Sequence, residues 1–205
     1  MEIQPDATLV VRAPKRLPLK EIQRFIASHG DWINRKRAQA TSRPQPIAKE
    51  FIEGEIFLVT GKSCSLFIVG DTHRDVDFDG RLLLSAQALP YAREAITKWY
   101  RKQARTIFFD RVQEYARIMG CHPAGIRITS PRRRWGSCGT TNYLNFNWRL
   151  IMAPPEIIDY VVIHELAHIR HKHHRPDFWD NVAEFAPEHR KARLWLKNHG
   201  NSLDF

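Results

Sequence analysis

The order of apolar and polar positions divides the chain into a strand-rich front half and a helical back half. Apolar residues recur at helical spacing from Tyr91 to Met119, and this run stops at Gly120, a typical helix end. A second helix is predicted from Pro18 to about residue 40, although Gly30 interrupts its apolar stripe. Between these helices, short apolar runs separated by glycine-containing turns predict a meander of strands at residues 57–60, 66–69 and 82–84.

Further strands and helices are predicted near both ends of the chain. Residues 9–12 look like a strand, residues 126–129 form a short alternating strand, and Tyr143 to Met152 is another, with Leu144, Phe146, Trp148 and Leu150 on one side. A helix begins at residues 153–156, and a last one runs from about residue 188 to 198. A proline-containing connector is predicted at residues 41–46. The pattern therefore predicts an α+β fold, with a strand-rich unit over residues 1–88 and a second unit over residues 89–205.

The helix that begins near residue 156 carries the sequence His164-Glu165-Leu166-Ala167-His168. Residues four apart share a helix face, so both imidazoles can reach one metal ion. Glu165 can then face a water molecule on that metal and act as a general base. Burying this trio without a metal would leave polar groups without partners. The pattern predicts a zinc site, Zn²⁺ being the metal that this motif usually holds.

A catalytic zinc needs a third protein ligand and one open position. His171 lies about 10.5 Å beyond His164 along a straight helix, nearly in line with it, which suits tetrahedral zinc badly. His174 can close the site only if the chain turns after about residue 171, and Pro176 prevents the helix from running much further. We favour His174, whose spacing is that of the metzincin pattern. An acidic ligand, Glu184 or Glu188, is the main alternative, and the helix dipole alone explains His171 or His173.

Four sequence blocks, in this order and spacing, resemble the YgjP-like metallohydrolases, which are relatives of the SprT-like and WLM zinc proteins. The blocks are Arg134-Trp135-Gly136-Ser137-Cys138, Asn145-Phe146-Asn147-Trp148-Arg149-Leu150, Val162-Ile163-His164-Glu165-Leu166-Ala167-His168, and His174 with Phe178-Trp179. Together with the strand-rich front half, the resemblance covers most of the chain.

The resemblance implies a zincin-like core, in which a long backing helix and a small antiparallel sheet support the active-site helix. It implies zinc held by His164, His168 and His174, with Glu165 as general base. Zincins usually hold an extended substrate along an edge strand beside the metal, and residues 143–150 are expected to lie near that cleft. Residues predicted to bind substrate are Arg134, Asn145 and Asn147. Phe178 and Trp179 are expected to form the floor of the site.

The composition of the chain bears on its cellular location and on its binding partners. No apolar run approaches the roughly 18 residues of a membrane span. The N-terminus lacks the basic start and apolar region of a secretion signal, and three widely spaced cysteines indicate free thiols. A cytoplasmic location is therefore expected. The net charge of +10 suits polyanionic partners, although solvated helix faces account for much of it.

Three functions are consistent with these residues. The first is a zinc metallopeptidase that cleaves peptides or proteins. The second is a nucleotide (UTP) pyrophosphatase with the same zinc site, in which Arg132, Arg133 and Arg134 neutralise phosphate charge; the YgjP-like family has been associated with both activities. The third is a basic nucleic-acid-binding module whose zinc only holds the fold. Glu165 argues against the third, because a structural site needs no base. The resemblance favours the peptidase.

Overall fold

A computed structural model describes residues 1–4, 6–42, 48–70 and 73–205. The chain divides into two compact units, one of residues 1–47 with 198–205 and one of residues 48–197. The predicted connector at residues 41–46 falls mostly on residues 43–47, which lie outside the described residues. The predicted domain boundary between residues 88 and 89 stays a prediction.

The smaller unit contains two short strands and two helices. Strands β1 (Glu2–Ile3) and β2 (Leu9–Val10) pair antiparallel. Helices α1 (Leu19–Ser28) and α2 (Gly30–Thr41) replace the single helix predicted for this region. The break lies at His29, whose φ of −116° and ψ of 20° leave the helical range. Glycine follows it, and a residue without a side chain tolerates such a bend at little steric cost.

The larger unit begins with a four-stranded sheet, in the order β3-β4-β6-β5. Its strands are β3 (Ile56–Val59), β4 (Lys62–Val69), β5 (Val76–Phe78) and β6 (Leu82–Ser85). All three predicted strands are present, but the meander is wrong because β4 pairs with β6 in parallel. The unpredicted β5, with three residues, is too short for a clear alternating pattern. Strand β5 pairs antiparallel with the other side of β6, so the chain passes through β5 between the two parallel strands β4 and β6.

A long helix, α3 (Ala92–Met119), follows a short 3-10 helix (Ala86–Tyr91). It ends as predicted at Gly120, whose φ of 60° and ψ of 43° lie in the left-handed region that glycine adopts readily. Helix α3 packs against α4 (Pro155–Arg170), which carries the predicted metal ligands. Arg170 Nη2 donates hydrogen bonds to the carbonyl oxygens at the end of α3, at 2.6 and 2.9 Å. The backing helix and the active-site helix are therefore confirmed.

A second sheet of three strands lies beside these helices, in the order β7-β9-β8. Its strands are β7 (Gly125–Thr129), β8 (Gly136–Cys138) and β9 (Tyr143–Asn147). The sheet is mixed, since β7 and β9 run parallel, so the prediction of an antiparallel sheet is wrong. The strand predicted to reach Met152 ends at Asn147, because the Asn147 side chain accepts a hydrogen bond from the Arg149 N–H and starts a 3-10 helix (Trp148–Met152).

The chain ends with α5 (Pro176–Phe185), α6 (His189–His199) and a short 3-10 helix (Gly200–Ser202). The core of the larger unit joins α3 to the second sheet, where the buried rings of Phe108 and Phe146 stack with centroids 4.5 Å apart. In the described part of the chain, no helix is long and apolar enough to cross a membrane. The predicted α+β class is confirmed.

Candidate metal centre

The three predicted histidine ligands come together at the end of α4. His164 and His168 lie one turn apart on the same face, with ring centroids 4.9 Å apart. The helix ends at Arg170, and His171 is extended, with φ −119° and ψ 98°. The chain therefore turns back and brings His174 Nε2 to 3.2 Å from His164 Nε2. One nitrogen from each of the three rings lies within 4.8 Å of the other two.

The alternative ligands lie elsewhere. His171 Nδ1 is 3.1 Å from one oxygen of Asp177, and His173 Nδ1 is 3.8 Å from the other. Neither Glu184 nor Glu188 joins the histidine cluster. Among the residues that the structure describes, His164, His168 and His174 form the group of three or more candidate metal-binding side chains.

Neighbouring groups contact Nδ1 of two of the rings and leave Nε2 of both available. His168 Nδ1 donates a hydrogen bond of 2.9 Å to the His171 carbonyl oxygen. His164 Nδ1 lies 3.5 Å from the Tyr160 hydroxyl oxygen. Such contacts to the second ring nitrogen fix the tautomer of a metal-binding histidine. The buried ring of Phe178 contacts all three imidazoles, with centroids 4.5 to 4.9 Å apart, and forms an apolar floor.

Glu165 points from α4 toward β8 and is only 5% exposed. Burial raises the pKa of its carboxyl group to about 8, against the opposing effects of the Cys138 backbone N–H, which hydrogen-bonds it, and the positive charge of Arg134. Its buried Oε2 has no hydrogen-bond partner among the described residues. A buried carboxyl oxygen without a partner is costly, and catalytic sites are where proteins retain such groups.

The electrostatics of the histidines suit a cation. Burial, and after it the nearby His168 and His174 rings, lowers the pKa of His164 to about 3. Burial likewise lowers the pKa of His168. A metal ligand must be a neutral imidazole, and a lowered pKa favours the neutral form of His164 and His168. Three imidazole nitrogens beside a buried acidic group with an unpartnered oxygen fit a divalent metal ion with an open position.

The predicted substrate residues differ in their surroundings. Arg134 is exposed, and its charge acts on Glu165. Asn145 Nδ2 donates to the carbonyl and hydroxyl oxygens of Ser137, both at 3.3 Å. Asn147 is 3% exposed and its side chain bonds to protein atoms at three points. Contact between these three residues and a substrate stays a prediction.

The expected position of the edge strand is wrong. Residues 143–147 form β9, which lies in the middle of its sheet with β7 on one side and β8 on the other. A central strand has both hydrogen-bonding edges occupied, so it cannot pair with a substrate. The edge strand next to α4 is β8, which was not among the predicted strands.

Two residues near the histidines were missed by the sequence analysis. Tyr160 lies one helical turn before His164, and this spacing was a usable signal. Arg193 comes from α6, and its guanidinium lies 4.4 Å from the centroid of the Trp179 ring. The Trp179 ring is in turn 5.7 to 5.8 Å from the rings of His164 and His174. No local pattern places α6 there, because only tertiary packing brings it to the site.

These features are those of a hydrolytic metalloprotein, and comparison with known families agrees. The family model of the YgjP-like, metallopeptidase domain matches residues 1–199, so the chain belongs to the YgjP-like family. A metallopeptidase family implies a hydrolase with a catalytic metal. No curated protein matches the chain.

Two crystal structures of metallopeptidase zymogens match part of the chain. Abylysin from Pyrococcus abyssi is 22% identical, and the match covers 44% of this chain and 93% of that one, with a TM-score of 0.38. Jannalysin from Methanocaldococcus jannaschii is 21% identical, and the match covers 43% and 92%, with a TM-score of 0.40.

Proposed function

We propose that this protein is a zinc-dependent metallopeptidase in which His164, His168 and His174 hold the metal and Glu165 is the general base. The observation that carries the proposal is the convergence of three imidazoles beside a buried carboxyl group. That carboxyl group has an oxygen without a hydrogen-bond partner among the described residues.

When bound, the zinc ion supplies positive charge that polarises a peptide carbonyl and favours the ionised form of Glu165. Glu165 accepts a proton from the attacking water and donates it to the leaving amine. The backbone N–H of Cys138 lowers the pKa of Glu165 and so favours the charged form that accepts the proton. The apolar floor of Phe178 limits the access of other water molecules and strengthens the electrostatic interactions in the site.

A catalytic role for the metal is favoured over a structural one by the number of donors. Structural zinc is almost always surrounded by four protein ligands. Three histidines make up the described cluster, and no cysteine or carboxylate of the described chain joins them. A base beside an incomplete ligand set serves hydrolysis and has no use in a purely structural site.

The substrate of this proposal is an extended peptide. Strand β8 (Gly136–Cys138) is an edge strand and lies against α4. An edge strand offers backbone groups that pair with a peptide whatever its side chains. Such pairing would place the peptide beside Glu165.

A second candidate function is hydrolysis of a nucleotide phosphoanhydride such as UTP. It is favoured by two exposed arginines, Arg134, whose charge acts on Glu165, and Arg193, whose charge acts on His164. Guanidinium groups match phosphate oxygens and neutralise the charge that develops on them.

The test compares casein and UTP as substrates of the zinc-loaded protein, with and without a chelator. Glu165→Gln should retain zinc and lower kcat by at least about 100-fold, the usual contribution of a general base. Glu184→Gln is the matched control, because this exposed carboxylate lies outside the cluster and should leave both zinc and turnover unchanged.

Each outcome separates the candidates. Chelator-sensitive cleavage of casein alone supports the peptidase, and chelator-sensitive hydrolysis of UTP alone supports the second function. Full turnover in the Glu165→Gln variant would exclude Glu165 as the base. Salt-sensitive DNA binding without turnover of either substrate would favour the nucleic-acid-binding module.

A further inference from the structure

Strand β8 passes so close to the Glu165 side chain that only glycine fits at the point of contact. A Cβ atom on Gly136 would lie 2.5 Å from Glu165 Oε1, 2.6 Å from Cγ and 2.8 Å from Cδ. Atoms that are not bonded to each other do not approach so closely in folded proteins. Any other residue at position 136 would therefore displace the carboxyl group or the strand.

Glycine is needed at position 136 because a side chain would not fit there, and not because of its backbone conformation. Gly136 begins β8 and does not have a positive φ, so an L-residue could adopt its backbone angles without strain. Gly139 follows the end of β8, likewise has no positive φ and has more space around it. A Cβ atom there would meet nothing closer than the Tyr143 carbonyl oxygen, at 3.6 Å, which is an ordinary contact.

The contact with Gly136 belongs to a set of constraints on one side chain. The backbone N–H of Cys138, two residues further along the same strand, favours the charged form of the Glu165 carboxyl group and opposes the rise of its pKa. The side chain is almost fully buried and has little room for another rotamer. At Gly136, β8 thus leaves free the space that a Cβ atom would take, and the Glu165 side chain lies against it.

We propose that Gly136 is a positioning residue, whose missing side chain provides the space in which β8 holds the Glu165 carboxyl group beside the three histidines. The proposal rests on the proposed function, because it takes Glu165 to be the base. It gives a physical reason for the glycine in the block Arg134-Trp135-Gly136-Ser137-Cys138.

The first test is a thermodynamic cycle on the metal-free protein, which needs no enzymatic activity. Gly136→Ala should lower the unfolding midpoint by roughly 3 to 10 °C, because overpacking a buried site is destabilising. In a Glu165→Ala background the space is vacated, and the same substitution should cost little. Gly139→Ala should shift the midpoint by no more than about 2 °C in either background. Equal losses for Gly136→Ala in both backgrounds would overturn the proposal.

The thermodynamic cycle can also be interpreted when a variant does not fold. If Gly136→Ala is unfolded in the wild-type background, its folding in the Glu165→Ala background supports the proposal. Failure to fold in both backgrounds overturns it, because the side chain of Glu165 is then not what excludes the methyl group.

The second test measures kcat, KM and zinc content in the loaded protein. Gly136→Ala should lower kcat by about 100-fold, as expected when a general base is displaced, while zinc content and KM stay unchanged. Adding Gly136→Ala to Glu165→Gln should cause no further loss, because both act on the same group. A further loss in the double variant would overturn the positioning role.

The two tests can refute the inference about Gly136 and the proposed function independently of each other. If the stability coupling is present but neither casein nor UTP is hydrolysed, the contact between Gly136 and Glu165 is real and the proposed function is wrong. If hydrolysis depends on Glu165 but the coupling is absent, the proposed function stands and the inference about Gly136 is wrong.

Discussion

Asn147 provides the sharpest prediction about the residues that surround the site. Its buried side chain joins two segments of the chain. Nδ2 donates to the carbonyl oxygens of Pro131 and Arg134, at 2.9 and 3.4 Å. Oδ1 accepts from the Arg149 N–H at 3.2 Å. Asn147 therefore fixes both ends of the segment that carries three consecutive arginines, and it also starts the 3-10 helix that follows β9.

The magnitude of the Asn147→Ala effect follows from these bonds. The substitution removes three hydrogen bonds, each with a net value of about 1 kcal/mol, and leaves buried groups without partners. Asn147 is 3% exposed, so water cannot easily replace the lost amide. The free energy of unfolding should fall by about 2 to 4 kcal/mol, which corresponds to a fall in Tm of roughly 5 to 15 °C for a chain of this size.

The assay is thermal and denaturant unfolding of the metal-free protein, followed by zinc titration. Asn145→Ala is the matched control on the same strand. Its side chain is half-buried and makes two hydrogen bonds of 3.3 Å, both to Ser137, so its removal should cost no more than about 1 kcal/mol. Zinc affinity should change in neither variant, because the three histidines lie on α4 and on the segment between α4 and α5.

One pattern of results would refute the structural role of Asn147. If Asn147→Ala were as stable as Asn145→Ala while its KM rose, Asn147 would be a substrate contact and not a structural tether. We expect a loss of stability and an unchanged KM.

Two further predictions concern the histidine cluster. His174→Ala should weaken zinc binding by more than about 100-fold in a chelator competition, whereas His173→Ala should leave it nearly unchanged, because His173 faces Asp177; the reverse order would show that the third ligand is wrong. Tyr160→Phe should weaken zinc binding by roughly 10-fold, because it removes the hydroxyl beside the first ligand. An unchanged zinc affinity would show that this contact does not orient His164.

The sequence predicted those features that depend on local patterns. The helix from residue 92 to 119 and its end at Gly120 follow from apolar spacing and a single glycine. Pro176 limited how far α4 could run, and with it the sequence indicated a turn between residue 171 and His174; the helix ends at Arg170. These determinants lie within a few residues of the feature that they set.

Features that depend on distant pairing were not predictable in the same way. The parallel pairing of β4 with β6 depends on where the three-residue β5 lies, and its sequence, Val76-Asp77-Phe78, gives no clear signal. The central position of β9 depends on its simultaneous pairing with β7 and β8. The glycine beside Glu165 and the arginine of α6 near His164 likewise reach the site only through tertiary packing.

X-ray absorption spectroscopy of the protein loaded with one equivalent of zinc tests the central claim most directly. The proposed site predicts three histidine nitrogens at about 2.0 to 2.1 Å and one further oxygen ligand from solvent. This signal should be lost when His174 is replaced by alanine. A sulfur ligand at about 2.3 Å, or four protein ligands around the metal, would contradict the proposal of an open catalytic site.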